Sequence, residues 1–241
     1  MKKNNVKVTR SLEIPRVAMT AGEFLARTNQ VSANNMRGSE EIFHNVELAD
    51  LTLENKSLAN SEFNYSKLSN ITFRGVNFQR AEFIFTELSN VTFERCKLEN
   101  CKFDYSAMTH VRFEQCIMDY DTFDFACGDA VFASDQLSGA EFHHTFLAIT
   151  MADCEADRVE INYCPALTIH AENCDFHRGE FTDGIFRGAM KKCIFTDADF
   201  SGSNAAGLTF SECGMRSIDT SSATGIDPAM DDDDEFELDL E

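Results

Sequence analysis

The chain has 241 residues, 43% of them apolar, with three prolines, twelve glycines, nine cysteines and a formal net charge of −20. That apolar share excludes wholesale disorder. So acidic a balance argues against binding nucleic acid or an anionic membrane directly, and favours a basic partner.

Residues 1–40 carry seven Lys/Arg against three Glu, a local net of +4. The start MKKNNVKVTRSLEIPR is basic but lacks the apolar stretch of a secretory signal, and no later apolar run approaches the ~18 residues of a membrane span. Nine cysteines without such a signal point to a reducing, cytoplasmic setting, that of an infected or host cell included. The basic segment reads as a tail, with an export or docking signal as its functional alternative. Thr20-Ala21-Gly22-Glu23 fits a capping box, so a short helix is expected over about 21–29, laid across the end of whatever follows.

From Phe43 to Phe123 every fifth residue is Phe, Leu or Met, seventeen in succession. Two residues before each centre stands a small or β-branched side chain, such as Ser61, Val76, Ala81, Thr86, Cys96 or Cys116. A second period of twenty lies on the first: Phe43, Phe63, Phe83, Phe103 and Phe123 form one series, Leu48, Leu68, Leu88 and Met108 the next. Short units that bury little alone but stack on neighbours are the mark of a solenoid. Four steps to a coil imply an all-β, four-sided β-helix with coils about 4.8 Å apart. The count slips near Cys127-Gly128-Asp129 and Gly188-Ala189, where bulges or short loops are expected.

With Ala81-Glu82-Phe83, Ala140-Glu141-Phe142 and Ala198-Asp199-Phe200, the sequence resembles the pentapeptide-repeat family over residues 41–218. That resemblance implies a right-handed quadrilateral β-helix. It also brings in the family's quinolone-resistance members, which act on DNA gyrase by occupying its DNA site as head-to-head dimers joined at a C-terminal helix. No such helix is expected after Met215.

Eight of the nine cysteines fall on the small inward step, and Cys96/Cys116, Cys154/Cys174 and Cys193/Cys213 are twenty apart. They read as buried small hydrophobes rather than metal ligands. No HExxH, GxSxG or phosphate-binding glycine loop occurs, so neither a catalytic residue, a metal nor a cofactor is expected.

Charge is uneven along the ladder. Residues 41–113 hold ten acids and eight bases; residues 114–186 hold fifteen acids and only Arg158 and Arg178. The second stretch spans roughly 17 Å of rod, over which duplex DNA carries about ten charges. The expectation is a DNA mimic inhibiting a basic nucleic-acid-binding protein or complex through Asp119, Asp121, Asp124, Asp129, Asp135, Glu141, Asp153, Glu155, Asp157 and Glu160. A secreted effector or scaffold docking a host protein is the alternative. Tyr65, Phe85, Tyr105 and Phe125, again twenty apart, are expected as an exposed aromatic ladder open to the N-terminal helix, a partner or a second copy in a homodimer. Residues 219–241 end in nine acids and no base from Asp227, a solvated tail whose alternating Phe236, Leu238 and Leu240 would suit an extended docking motif.

Overall fold

The computed structural model describes residues 16–32 and 41–226. The basic segment before Arg16 and the acidic tail after Ile226, with the roles expected of them, lie outside the described residues.

A left-handed residue at every fifth position explains the spacing. Asn55, Asn60, Tyr65 and Asn70 have φ of 51°, 59°, 62° and 53°, and the same holds along the ladder. Between these corners the backbone is extended, and two of each five side chains point inward. Four steps return the chain above its start: Glu62 pairs with Glu82, Lys67 with Glu87, Thr72 with Thr92 and Asn77 with Lys97, all in parallel. The first to fourth sides of a coil are those centred on Phe63, Leu68, Phe73 and Phe78. Asparagine occupies many corners because its short polar side chain tolerates the left-handed region.

The second and third sides together form one strand per coil. These strands are β2 (Val46–Glu54), β3 (Lys67–Arg74), β4 (Glu87–Glu94), β5 (Ala107–Glu114), β6 (Cys127–Ala133), β7 (Phe146–Ala152), β8 (Leu167–Glu172), β9 (Ile185–Lys191) and β10 (Asn204–Ser211). With β1 (Val17–Ala18) they make a ten-stranded parallel sheet in chain order. Bridges Asp199↔Asp219 and Asn204↔Thr224 carry the coil past residue 218, and no helix follows Met215 among the described residues.

Inside, like stacks on like. Phe63, Phe83, Phe103 and Phe123 stack at 4.9–5.1 Å, and Phe93 meets Phe83 and Phe103 edge-on at 6.0 Å. The small inward residues also satisfy backbone. Ser66 Oγ accepts from Val46 N–H at 3.0 Å and donates to Phe43 O at 2.7 Å; Thr86 Oγ1 donates to Phe63 O at 2.7 Å, and the Cys96 thiol donates to Phe73 O at 3.4 Å. All nine cysteines are free, and Cys127 is the exposed one.

The N-terminal end is covered as the capping box implies. Helix α1 (Ala21–Ser32) starts after Thr20, whose Oγ1 accepts from Glu23 N–H at 3.2 Å while Thr20 N–H donates back to Glu23 Oε2 at 2.9 Å. Thr20 N–H and Thr20 Oγ1–H both donate to Glu23 Oε2, and hold the carboxyl below its ordinary range. Phe24 is buried against Phe43 at 5.0 Å.

The register changes where the count slipped, but by loss of a residue rather than gain. Met108 pairs with Gly128 while Val111 pairs with Ala130, so β6 is one residue shorter than β5 at the corner of the second side. Later coils alternate: Gln136↔Glu155 and Glu141↔Glu160 are nineteen apart, Glu155↔Asp175 and Glu160↔Glu180 twenty, and Asp175↔Ile194 and Glu180↔Asp199 nineteen again. The spacing returns to twenty within β10, where Ile185 pairs with Asn204 but Arg187 with Gly207.

Candidate protein-interaction surface

The coil allots each outward residue to a side, and this sorts the acids sharply. One bridge ladder on the first side runs Glu62, Glu82, Lys102, Thr122, Glu141, Glu160, Glu180, Asp199 and Asp219. Two residues after each of these stands the other outward position of that side, and it brings Asp104 and Asp124 beside them. Nine carboxylates therefore line one side, against Lys102, His44 and His143. The third side is balanced instead. Arg74 reaches Glu54 at 2.6 Å and Glu94 at 2.7 Å, Arg112 lies 3.2 Å from Glu114, and Lys191 2.7 Å from Glu172. Lys191 Nζ donates to Glu172, which raises the pKa of the lysine and lowers that of the glutamate.

On the first side the bases are few. His44 is 2.5 Å from Glu62, and Lys102 is 3.0 Å from Glu82. His143 sits among Asp124, Glu141 and Glu160, at 3.5 Å and 4.0 Å through Nδ1 and 3.2 Å through Nε2. Asp124 Oδ1 also accepts from His143 backbone N–H at 3.1 Å. Partial burial, with Glu160, Asp124 and Asp104 adding to it against His143, raises the pKa of Glu141. Asp124, Glu141 and His143 offer ligand atoms within 4.8 Å of one another, enough to surround a divalent cation. Each already faces a partner of this chain, so the group belongs to the charge network of this side.

The ten acids expected to form one belt do not lie together. Asp124, Glu141 and Glu160 are on the first side. Asp119, Glu155 and Asp157 are outward on the adjoining fourth side, where Asp119 Oδ1 accepts from Ser138 N–H at 3.0 Å and Asp157 lies 2.9 Å from Arg158. Asp153 is a corner residue with φ 55°, and Asp129 is on the second side, accepting from His110 N–H at 2.8 Å.

Asp121 and Asp135 are inside the coil, 0% and 1% exposed, and so offer no surface to another protein. Both occupy the small inward step. Asp121 Oδ1 accepts from Cys101 N–H at 2.7 Å and its Oδ2 has no hydrogen-bond partner among the described residues. Burial drives its pKa far up. Asp135 accepts from Cys116 N–H at 2.7 Å and Ala133 N–H at 3.0 Å, and burial lifts it to about 7. Six of the nine first-side carboxylates are not among those ten: Glu62, Glu82, Asp104, Asp199 and Asp219 lie outside the acid-rich stretch, and Glu180 lies within it.

Asp135 makes stability depend on pH. Its folded pKa stands above the ordinary ~3.9, so its contribution is full below about pH 4 and is lost as pH rises through 7, at up to about 1.4 kcal/mol per unit. Melting temperature should therefore fall between pH 5 and 7. Asp135→Asn should flatten that fall while lowering the acidic end of the curve, since its amide nitrogen cannot accept from the second N–H group. A wild-type curve flat over this window would show that the acid is not held neutral.

The aromatic ladder is present and longer than expected. Ring centroids are 5.2 Å apart for Tyr65–Phe85, 4.7 Å for Phe85–Tyr105 and 4.9 Å for Tyr105–Phe125, and His144 and Tyr163 continue it at 4.7 Å and 5.5 Å. Phe125, His144 and Tyr163 are nineteen apart, so strict counting in twenties ends the column early. All six are left-handed corner residues between the first and second sides. A ring in that region costs about 1–2 kcal/mol, while each stacked pair returns about 0.5–1.5 kcal/mol. The column is no net gain for the fold. Its rings nonetheless stay 42–54% exposed at Tyr65, Phe85, Tyr105, Phe125 and Tyr163.

A family model described as pentapeptide repeat region matches residues 46–123. Among solved structures the chain is similar to HetL, a pentapeptide repeat protein involved in heterocyst differentiation regulation from the cyanobacterium Nostoc sp. strain PCC 7120, with 13% identity over 86% of this chain and 93% of that one and a TM-score of 0.49. It is also similar to a trypsin-treated form of QnrB1, a plasmid-mediated fluoroquinolone resistance protein (16% identity, 85% and 90% covered, TM-score 0.30). Full-length QnrB1 gives 15% identity over 70% of this chain and 93% of that one, with a TM-score of 0.25. No curated protein matches the sequence. No described helix is long and apolar enough to cross a membrane.

Proposed function

We propose that this pentapeptide-repeat protein, matched to the family over residues 46–123, acts without catalysis as a rigid acidic rod whose first side occupies the polynucleotide site of a basic nucleic-acid-binding protein. The observation that carries this reading is the sorting of charge: one side holds nine carboxylates in register while the third side neutralises its own. Carboxylates on successive coils repeat about every 4.8 Å of rod axis, against one phosphate per about 3.4 Å of helix axis for one DNA strand. The side thus resembles a single strand of the duplex in charge spacing, rather than the whole duplex. Because the positions are fixed by a hydrogen-bonded coil, little ordering is lost on binding, and a groove built to neutralise phosphates meets preplaced anions.

The test is competition. Purified basic DNA-binding proteins, a DNA gyrase among them, are each loaded with a fluorescent duplex and titrated with the chain. Displacement from at least one of them is expected, weakening as salt rises because both charged surfaces are screened. Displacement from none, or displacement indifferent to salt, would defeat the reading.

A further inference from the structure

We propose that the ring column and the first-side carboxylates beside it form one docking strip for a basic amphipathic α-helix of the partner. This rests on the reading that the first side meets a basic protein, and adds what that protein presents. The column runs from Tyr65 to Tyr163 with ring spacings of 4.7–5.5 Å. At its far end the apolar strip widens onto the second side through exposed Phe146 and Ile185, where the strands are one residue short. A contiguous exposed apolar strip flanked by one sign of charge marks a contact.

The pitch selects a helix. An α-helix presents one residue per turn of about 5.4 Å along a ridge, close to the ring spacing, whereas a strand presents a given face every ~6.8 Å. Five coil intervals cover about 24 Å, the length of about 16 helical residues. Strand addition is also closed off, because the corner N–H groups are already bonded: Phe85 N–H donates to Asp104 O at 3.0 Å and Tyr105 N–H to Asp124 O at 2.7 Å. Charge selects a cationic flank. Asp124, Glu141 and Glu160 lie on the side next to the rings, so a second copy of this chain would bring carboxylates against carboxylates. On the column's other flank the chain places a cation of its own at the first rung, where Arg16 donates to Tyr65 O at 3.1 Å and to second-side Glu87 at 2.8 Å.

Two synthetic 16-residue Lys/Leu peptides of identical composition test this by anisotropy titration, one patterned as an amphipathic helix and one scrambled to disperse its leucines. Wild type should bind the patterned peptide about tenfold tighter, the equivalent of about 1.4 kcal/mol. Phe85→Asn/Tyr105→Asn/Phe125→Asn keeps corners that asparagine tolerates, and a thermal melt checks that it is folded. It should erase the preference while binding the scrambled peptide as wild type does. Glu141→Gln/Glu160→Gln/Glu180→Gln should weaken both peptides. Equal binding of the two peptides by wild type, or a preference that survives in the asparagine variant, overturns the docking strip and leaves the acidic-side reading standing. Wild type that binds neither peptide overturns both.

Discussion

Gly128→Ala lowers the melting temperature by about 10 °C or more, the largest effect expected of any single methyl group in the rod. Gly128 has φ +112°, outside every region open to other residues, and a Cβ built there would lie 1.7 Å from Met108 O. The obstacle is backbone of the neighbouring coil, which cannot rotate away as a side chain can. Relief requires the β5–β6 ladder to open, and strain plus lost bonds should cost at least about 4 kcal/mol. Gly188 repeats the situation in β9, with φ +125° and Ile169 O at 2.0 Å. Gly22 in helix α1 is the control, since its Cβ would meet nothing nearer than 4.0 Å. Gly22→Ala should raise stability by about 0.5–1 kcal/mol. Thermal melts of the two variants should move in opposite directions; a Gly128→Ala protein melting with wild type would show that the short coils are not held as described.

That two glycines mark the shortened coils was partly legible in the sequence. The five-residue period, the inward cysteines and the Thr20–Glu23 capping box follow from side-chain spacing and local chemistry, which a sequence displays directly. Asp121 and Asp135 were equally visible, standing two residues before Phe123 and Leu137 on the small inward step. A sum of acids along the chain counts them as surface charge, whereas their place on the coil puts them inside. Allotting acids to sides needs the register of every coil from Gly128 onward, because several are nineteen residues long and the offset from a count in twenties grows along the rod. Counting in twenties from Glu82 passes through Lys102 and Thr122 and then meets Phe142, whereas the structure meets Glu141. Twenties would next meet Asn162, Thr182 and Gly202, where the structure has Glu160, Glu180 and Asp199. Corners tell a similar story: asparagine announces the left-handed position at Asn60 or Asn100, while Tyr105 and Phe125 hide it, since rings seldom adopt that backbone.

Neutralising the first side should cost far more binding than neutralising the third, although net charge changes equally. Glu141→Gln/Glu160→Gln/Glu180→Gln/Asp199→Asn removes four anions from the column. Glu54→Gln/Glu94→Gln/Glu114→Gln/Glu172→Gln removes four that serve the chain's own Arg74, Arg112 and Lys191. At roughly 0.5–1 kcal/mol for each exposed contact, the first set should weaken binding about 30- to 700-fold. The second loses only exposed intramolecular pairs and should leave binding within about threefold, with a small loss of stability.

Displacement of duplex DNA from a basic DNA-binding protein by these two variants, side by side at one salt concentration, is the most direct measurement. The account predicts that the third-side variant displaces as wild type does and the first-side variant fails. Equal weakening of both would mean that overall charge, not its placement on one side of the coil, governs the interaction.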